Sequence, residues 1–589
     1  MRPLPTLVLL TLVLGAAAAA APRPVAVLKP PPAPEADVAA GAADLRTMEY
    51  WVGLLENLGE PFRLLESDAL SAGVGDASLL ILGAAPVLSD AQVEAVLAFQ
   101  AGGGAVLLVG MPGHLTPEGT PRDTPLPVSL AGLTAPATFD PEVTDSSAYV
   151  LRLSSPLGLA ADPGMRFEVS WKGPLWTGTA TEPAGYWVDW GMAPLAGDPR
   201  TLESSAAVLL SAGPGGRVAW LGAPPHVITS VNDQQAVGRR VSEQLLRWLL
   251  DRPALLKGWW PGGLQAATVL TTDVETRFET GEAIALMFHR EGVRGSFFVL
   301  GDLAREHPRV VEALAENGDV GSHSMHHKSF RGRTVEDQLA EIQEGIRQIQ
   351  DMGVRRVDGF RPPMEEYDDA TLQAVAAAGL DFVFGNLMYD RAWPLRRVVG
   401  DRTLWQFARI VPDDYNLAAH GGAKDSDGFL EGYVTWARRM FDLGGLYAFA
   451  FHTTYLGLEE NVEAIARYVR WVRHLPVWVA TFRELARWAG TREAVELSVV
   501  ESRGALEATV RNRGPEAVAA FPLFLLAPVG ARPRVAAPSD GVTLEAREDF
   551  GHLVRLDLAA GESRTLVIDL GIPQEERPGG GSSSLSSVR

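Results

Sequence analysis

The stretch Ala266-Ala267-Thr268-Val269-Leu270-Thr271-Thr272-Asp273-Val274-Glu275 decides how this chain is read. An apolar, β-branched run that stops abruptly in acidic residues reads as a buried strand delivering carboxylates at its C-terminal end, where α/β folds assemble their sites. Side chains at i and i+2 of a strand project from one face. Asp273 and Glu275 can therefore enter one pocket while Val274 packs the other way.

Working outward, Gly318-Asp319-Val320 leads into Gly321-Ser322-His323-Ser324-Met325-His326-His327. His323 and His327 are four apart, which puts two imidazoles on one side of a helical turn, a spacing that suits a single metal ion. His326 lies on nearly the same face and is the rival ligand; His327 is preferred. Two histidines and a carboxylate leave coordination positions open for water and substrate, as a catalytic metal requires. Two more apolar approaches end in Gly359-Phe360-Arg361-Pro362-Pro363 and in Leu446-Tyr447-Ala448-Phe449-Ala450-Phe451-His452.

These motifs, in this order, resemble those of the polysaccharide deacetylase family, the NodB-homology or carbohydrate esterase family 4 domain, over about 262–490. Gly295-Ser296-Phe297-Phe298-Val299-Leu300-Gly301 is similar to that family's second strand. The resemblance implies a distorted (β/α) barrel with fewer than eight strands and hydrolysis of N-acetyl groups on a polysaccharide. The metal implied is zinc by default, with cobalt, nickel or iron compatible with the same donors. By resemblance Glu275, His323 and His327 are metal ligands, Asp273 is the general base, Arg361 orients it, and His452 donates a proton to the leaving amine. Strand geometry alone permits Asp273 and Glu275 to exchange roles. Pro363 is expected to bound the pocket. Asp390 and Trp393 loosely echo the family's Asp and Trp beside the catalytic His. Other readings are a silent carbohydrate-binding or envelope-assembly protein, and hydrolysis of another non-peptide C–N bond.

At 589 residues the chain is too long for one core, and ~150 residues per domain suggests three or four units. The formal net charge of −20 argues against nucleic acid or an anionic membrane surface as the main partner. There are no cysteines, which excludes disulfides, thiolate ligands and a Cys nucleophile.

Arg2, the apolar run Leu7–Leu14 and the alanines to Ala21 read as a signal peptide over 1–21, so an exported, periplasmic or extracellular protein without stable membrane insertion is expected. Residues 22–44 read as a Pro/Ala-rich linker. Alternating strands and helices over 45–257 predict a doubly wound α/β domain. Its strand, Gly83-Ala84-Ala85-Pro86, helix and Gly102-Gly103-Gly104 resemble the glutamine-amidotransferase-like or ThuA-like fold without its nucleophile, implying an auxiliary or sugar-binding unit. His114 and His226, near strand ends there, read as structural or solvated. Period-two alternation over 491–575 predicts a small immunoglobulin-like β-sandwich, and 576–589 reads as a disordered tail.

Overall fold

The computed structural model describes residues 23–30, 38–83, 85–144, 147–171, 175–189, 191–195, 202–385, 390–502, 504–536, 541–547 and 551–571. The expected signal peptide and C-terminal tail lie outside the described residues.

The chain forms a mixed α/β structure. In the first unit, strands Phe62–Leu65, Val25–Leu28, Leu79–Gly83, Ala105–Val109 and Gly216–Leu221 run parallel in that order. The sheet continues antiparallel through Ala206–Gly213, Gly185–Val188, Ala148–Leu151 and Phe167–Glu168. Alternate residues of the parallel strands feed two separate apolar clusters, so both sheet faces are buried. Ser89 caps the helix Asp90–Ala101 through a reciprocal capping box with Gln92.

Two expected boundaries are corrected. The linker reading of 22–44 is wrong for Val25–Leu28, whose four residues are all buried between two neighbouring strands. The run is only four residues long and flanked by prolines, so its β character is local and its burial is supplied by the sheet. Likewise Ala254–Lys257, placed at the end of the first domain, pairs antiparallel with Leu523–Leu526 of the last unit.

That last unit consists of two four-stranded antiparallel sheets. They share a core that includes Leu506, Val510, Leu523, Val554, Leu556 and Ile568.

Between these units lies a curled sheet that has nine strands among the described residues, more than the fewer than eight expected. Its continuous path is Leu395–Val399, Arg402–Ala408, Phe382–Gly385, Gly359–Phe360, Gly318–Ser322, Gly295–Val299, Ala266–Val274 and Leu446–His452. Val477–Ala480 pairs with the first half of Ala266–Val274. All neighbours are parallel except the edge strand Leu395–Val399, which the sequence pattern did not suggest. Ala266–Val274 is buried at all nine positions, as a central parallel strand covered on both faces should be. At the strands' N-terminal ends, Asp319 and Asp358 pair with Arg483. Ion pairs close that rim, while the chemistry-bearing residues gather at the other.

The first unit docks at the closed rim. Arg152 donates to both carboxylate oxygens of Asp442 at 2.8–3.0 Å, and Arg391 reaches Asp162 at 2.7 Å and Asp233 at 2.6 Å. Among the described residues, no helix is long and apolar enough to cross a membrane.

Candidate metal centre and acid–base pair

Parallel registry brings the site together. Asp273 on Ala266–Val274 stands beside His452 on Leu446–His452, and Val299 pairs with Ser322 just before His323. Each strand ends at the same level, so residues distant in sequence meet above the sheet.

Glu275, His323 and His327 offer ligand atoms that lie within 4.8 Å of one another. Glu275 Oε2 is 2.8 Å from His327 Nε2 and 3.4 Å from His323 Nε2. The Nδ1 of His323 lies 2.7 Å from the carbonyl of Arg361. A carbonyl only accepts, so Nδ1 carries a proton, and Nε2, which faces Glu275, is the ring nitrogen left to serve a metal. This donor set fits a divalent metal of the zinc class. Burial would raise the Glu275 pKa, but hydrogen bonds from His323 and His327 outweigh it and hold the carboxyl well below the usual range. His326 is turned away, with Nδ1 and its backbone N–H both 2.8 Å from Glu341 Oε1. Glu341 thus holds His326 apart from the cluster of Glu275, His323 and His327.

The buried Asp273 accepts from Arg361 Nε at 2.5 Å. Burial opposes the charge of Arg361, but Asp273 and Glu365 outweigh it and raise the guanidinium's pKa. Arg361 also lies over the Phe384 ring, 4.5 Å from its centroid. Pro363 is buried at the start of a short helical turn, Pro363–Glu365, directly after Arg361 and Pro362. Met364 and Glu365 both have positive φ, 56° and 55°. For non-glycine residues this costs roughly 1–3 kcal/mol each and persists only where surrounding structure enforces it.

His452 Nε2 is 3.6 Å from Asp273 Oδ2, and its Nδ1 is 2.6 Å from Asp414 Oδ1. Asp414 Oδ2 also accepts the backbone N–H groups of His452 at 2.7 Å and Leu456 at 3.1 Å. Burial pushes the His452 pKa down, but Asp414 and then Asp273 push harder, lifting it to about 10. The ring is an imidazolium at neutral pH, with Nε2–H directed at the pocket. Thr453 ties the loops after the two strands together by donating to the carbonyl of Thr276 at 2.5 Å.

Asp414 was missed in the sequence. Its signal was the same as that of Asp273: the acidic pair Asp413-Asp414 follows soon after the strand Arg402–Ala408. The positions proposed instead, Asp390 and Trp393, lie at the opposite rim. The Asp390 carboxylate receives Arg391 and its carbonyl accepts from Arg166 N–H. Trp393 packs 5.0 Å from the rings of both Trp259 and Trp260. Both flank Ala392, whose carbonyl takes the N–H of Leu446 at the start of the strand that ends in His452. Their order along the chain mimics the motif; their place in the fold does not. In the first unit, His114 Nδ1 is 2.7 Å from the carbonyl of Met111, and burial pushes the His226 pKa down to about 4.

Residues 265–383 match the family model described as Polysaccharide deacetylase. A curated relative, the peptidoglycan-N-acetylmuramic acid deacetylase PdaA of Bacillus subtilis (strain 168), is 26% identical over 101 residues, covering 16% of this chain and 38% of that protein. Among solved structures, a putative polysaccharide deacetylase from Mycobacterium smegmatis is similar to 40% of this chain over 94% of its own, at 20% identity and a TM-score of 0.37. The carbohydrate deacetylase Agd3 is similar to 93% of this chain over 98% of its own, at 12% identity and a TM-score of 0.41.

Proposed function

We propose, from the match of residues 265–383 to the polysaccharide deacetylase family model, that the chain is a metal-dependent hydrolase that removes N-acetyl groups from a carbohydrate polymer. The observation that carries this reading is the pair Asp273 and His452, a carboxylate and an imidazolium facing each other beside a three-donor metal site. Binding alone needs neither an acid nor a base.

An amide is a poor electrophile with a poor leaving group, so its hydrolysis needs an activated water, a stabilised oxyanion and a proton for the departing amine. A divalent metal held by Glu275, His323 and His327 would lower the pKa of water and polarise the acetyl carbonyl. Asp273, oriented by Arg361, takes the proton from the attacking water. His452, held by Asp414 with its Nε2–H toward the pocket, gives a proton to the amine nitrogen as the C–N bond breaks. The Arg361-Pro362-Pro363 turn bounds the pocket beside the base.

The first unit is read as an auxiliary domain of the amidotransferase-like type, and the paired C-terminal sheets as immunoglobulin-like. The basic, apolar and small-residue order of Arg2 to Ala21 supports export, where polymeric N-acetyl sugars are met.

Acetate release should be assayed side by side on chitin oligomers, peptidoglycan and poly-N-acetylglucosamine, with and without a chelator. Chelator-sensitive acetate release from any of the three supports the proposal. Polymer binding without acetate release across the panel would move the reading to a silent binding protein.

A further inference from the structure

We propose that Glu365 and Arg409 are positioning residues that couple the base to the acid through a ladder of alternating charge from Asp273 to Asp413, whose chain neighbour Asp414 holds the acid. The proposal rests on the reading of Asp273 as base and His452 as acid. The ladder begins at Asp273, which holds Arg361 Nε at 2.5 Å. Arg361 Nη2 lies 3.2 Å from Glu365 Oε1. Glu365 then takes Arg409 with both carboxylate oxygens, from Nε and Nη2, each at 2.7 Å. Arg409 Nη1 donates to the Val411 carbonyl at 3.1 Å and to Asn416 Oδ1 at 3.0 Å, and lies 3.5 Å from Asp413 Oδ2. Asp413 caps the helix Asp414–Ala419 by accepting from Asn416 N–H at 2.9 Å. The first residue of that helix is Asp414, which holds His452. The circuit closes across the pocket, where His452 Nε2 faces Asp273.

Three features make this more than a loop fastening. The bridge is bidentate, which fixes direction as well as distance. It is buried, with side chains of Arg361, Glu365, Arg409 and Asp413 between 3% and 11% exposed, and removing one partner of a buried ion pair leaves the other charge uncompensated. It also anchors Glu365 in a left-handed conformation, directly after a second such residue, Met364. Backbone strain of this kind persists where position matters. Neither residue reaches the reacting atoms; they act through Arg361 and through Asp413 and Asp414.

The test uses the full-length, zinc-loaded chain and the variants Glu365→Gln, Arg409→Gln and the double substitution. Turnover on a substrate the wild type deacetylates, metal content, melting temperature and the NMR titration of His452 are all recorded. The titratable groups around His452 are Asp414, Asp273 and Asp413, His327 across the pocket, and Tyr455 beside the ring. Each single variant should lose about 10- to 100-fold in kcat with KM and metal content kept. The double variant should be no worse than the poorer single, because the two act as one unit. Removing the anion at 365 should lower the His452 midpoint, and removing the cation at 409 should raise it. Unchanged kcat, or multiplicative losses with His452 shifting the same way in both singles, would overturn the proposal. If the wild type deacetylates nothing, the function proposed above fails. The opposed His452 shifts would then still support the ladder, and their absence would overturn it.

Discussion

Asp273 and His452 stand in register on neighbouring parallel strands, with Asp273 Oδ2 and His452 Nε2 3.6 Å apart. A carboxylate and an imidazolium at this separation attract, yet stop short of a hydrogen bond. Each is held from behind, Asp273 by Arg361 and His452 by Asp414. In the proposed reading each faces the pocket from its own side, Asp273 toward the water and His452 toward the amine nitrogen.

The two carboxylates of the first motif should separate by role. Asp273→Asn is expected to keep its metal and lose about 100-fold or more in turnover, because the base is gone while the donors remain. Glu275→Gln should instead bind metal weakly. Metal content and acetate release measured on both variants decide the matter; a metal-free Asp273→Asn beside a metal-loaded Glu275→Gln would reverse the assignment.

The alkaline limb of activity should report His452. Its folded pKa is raised to about 10 from an ordinary 6.5, so the proton donor is present through neutral pH and lost as pH rises toward 10. The sign for stability is the same: the contribution is full below 6.5 and lost as pH rises through about 10. Asp414→Asn removes the largest of the raising influences, so the limb should move toward neutral pH. A pH–rate profile of the two proteins checks this, and an unmoved limb would detach His452 from the acid step.

His326 and His327 should behave oppositely. His327 Nε2 lies 2.8 Å from Glu275 and His326 is bound to Glu341, so His327→Ala should lose metal while His326→Ala keeps it. Elemental analysis after dialysis should find about one divalent ion per wild-type chain. Retention of metal by His327→Ala together with its loss from His326→Ala would exchange the two assignments.

Trp393 should matter for stability and not for catalysis. It packs with Trp259 and Trp260 at the rim opposite His452, so Trp393→Ala is expected to cost about 3–5 kcal/mol of stability. Denaturant unfolding measures that loss, and KM and kcat below the melting temperature should be unchanged. A selective fall in kcat would return Trp393 to the pocket.

Much of this was legible without coordinates, because the site is built from strand ends and strands write themselves locally. Apolar runs that stop in Asp273, His323, Arg361 and His452 announce both the strand and the position on its open rim. What stayed hidden depends on which strand lies beside which. Val25–Leu28 carries too few residues to declare itself between prolines, and Ala254–Lys257 has no local sign that its partner is Leu523–Leu526.

The chemistry available is written along the chain: a two-histidine-and-carboxylate set, a further carboxylate, an arginine and a terminal histidine, each with its approach strand. Tertiary structure alone decided which acid serves His452. Asp390 and Asp414 are both acids lying between the Arg361 motif and His452, and only the folding of the chain back along Phe382–Gly385 and Arg402–Ala408 brings Asp414 to the ring. Asp390 is left at the far rim with Arg391. An ion pair or hydrogen bond acts over a few ångströms of space, whereas the sequence records only separation along the chain.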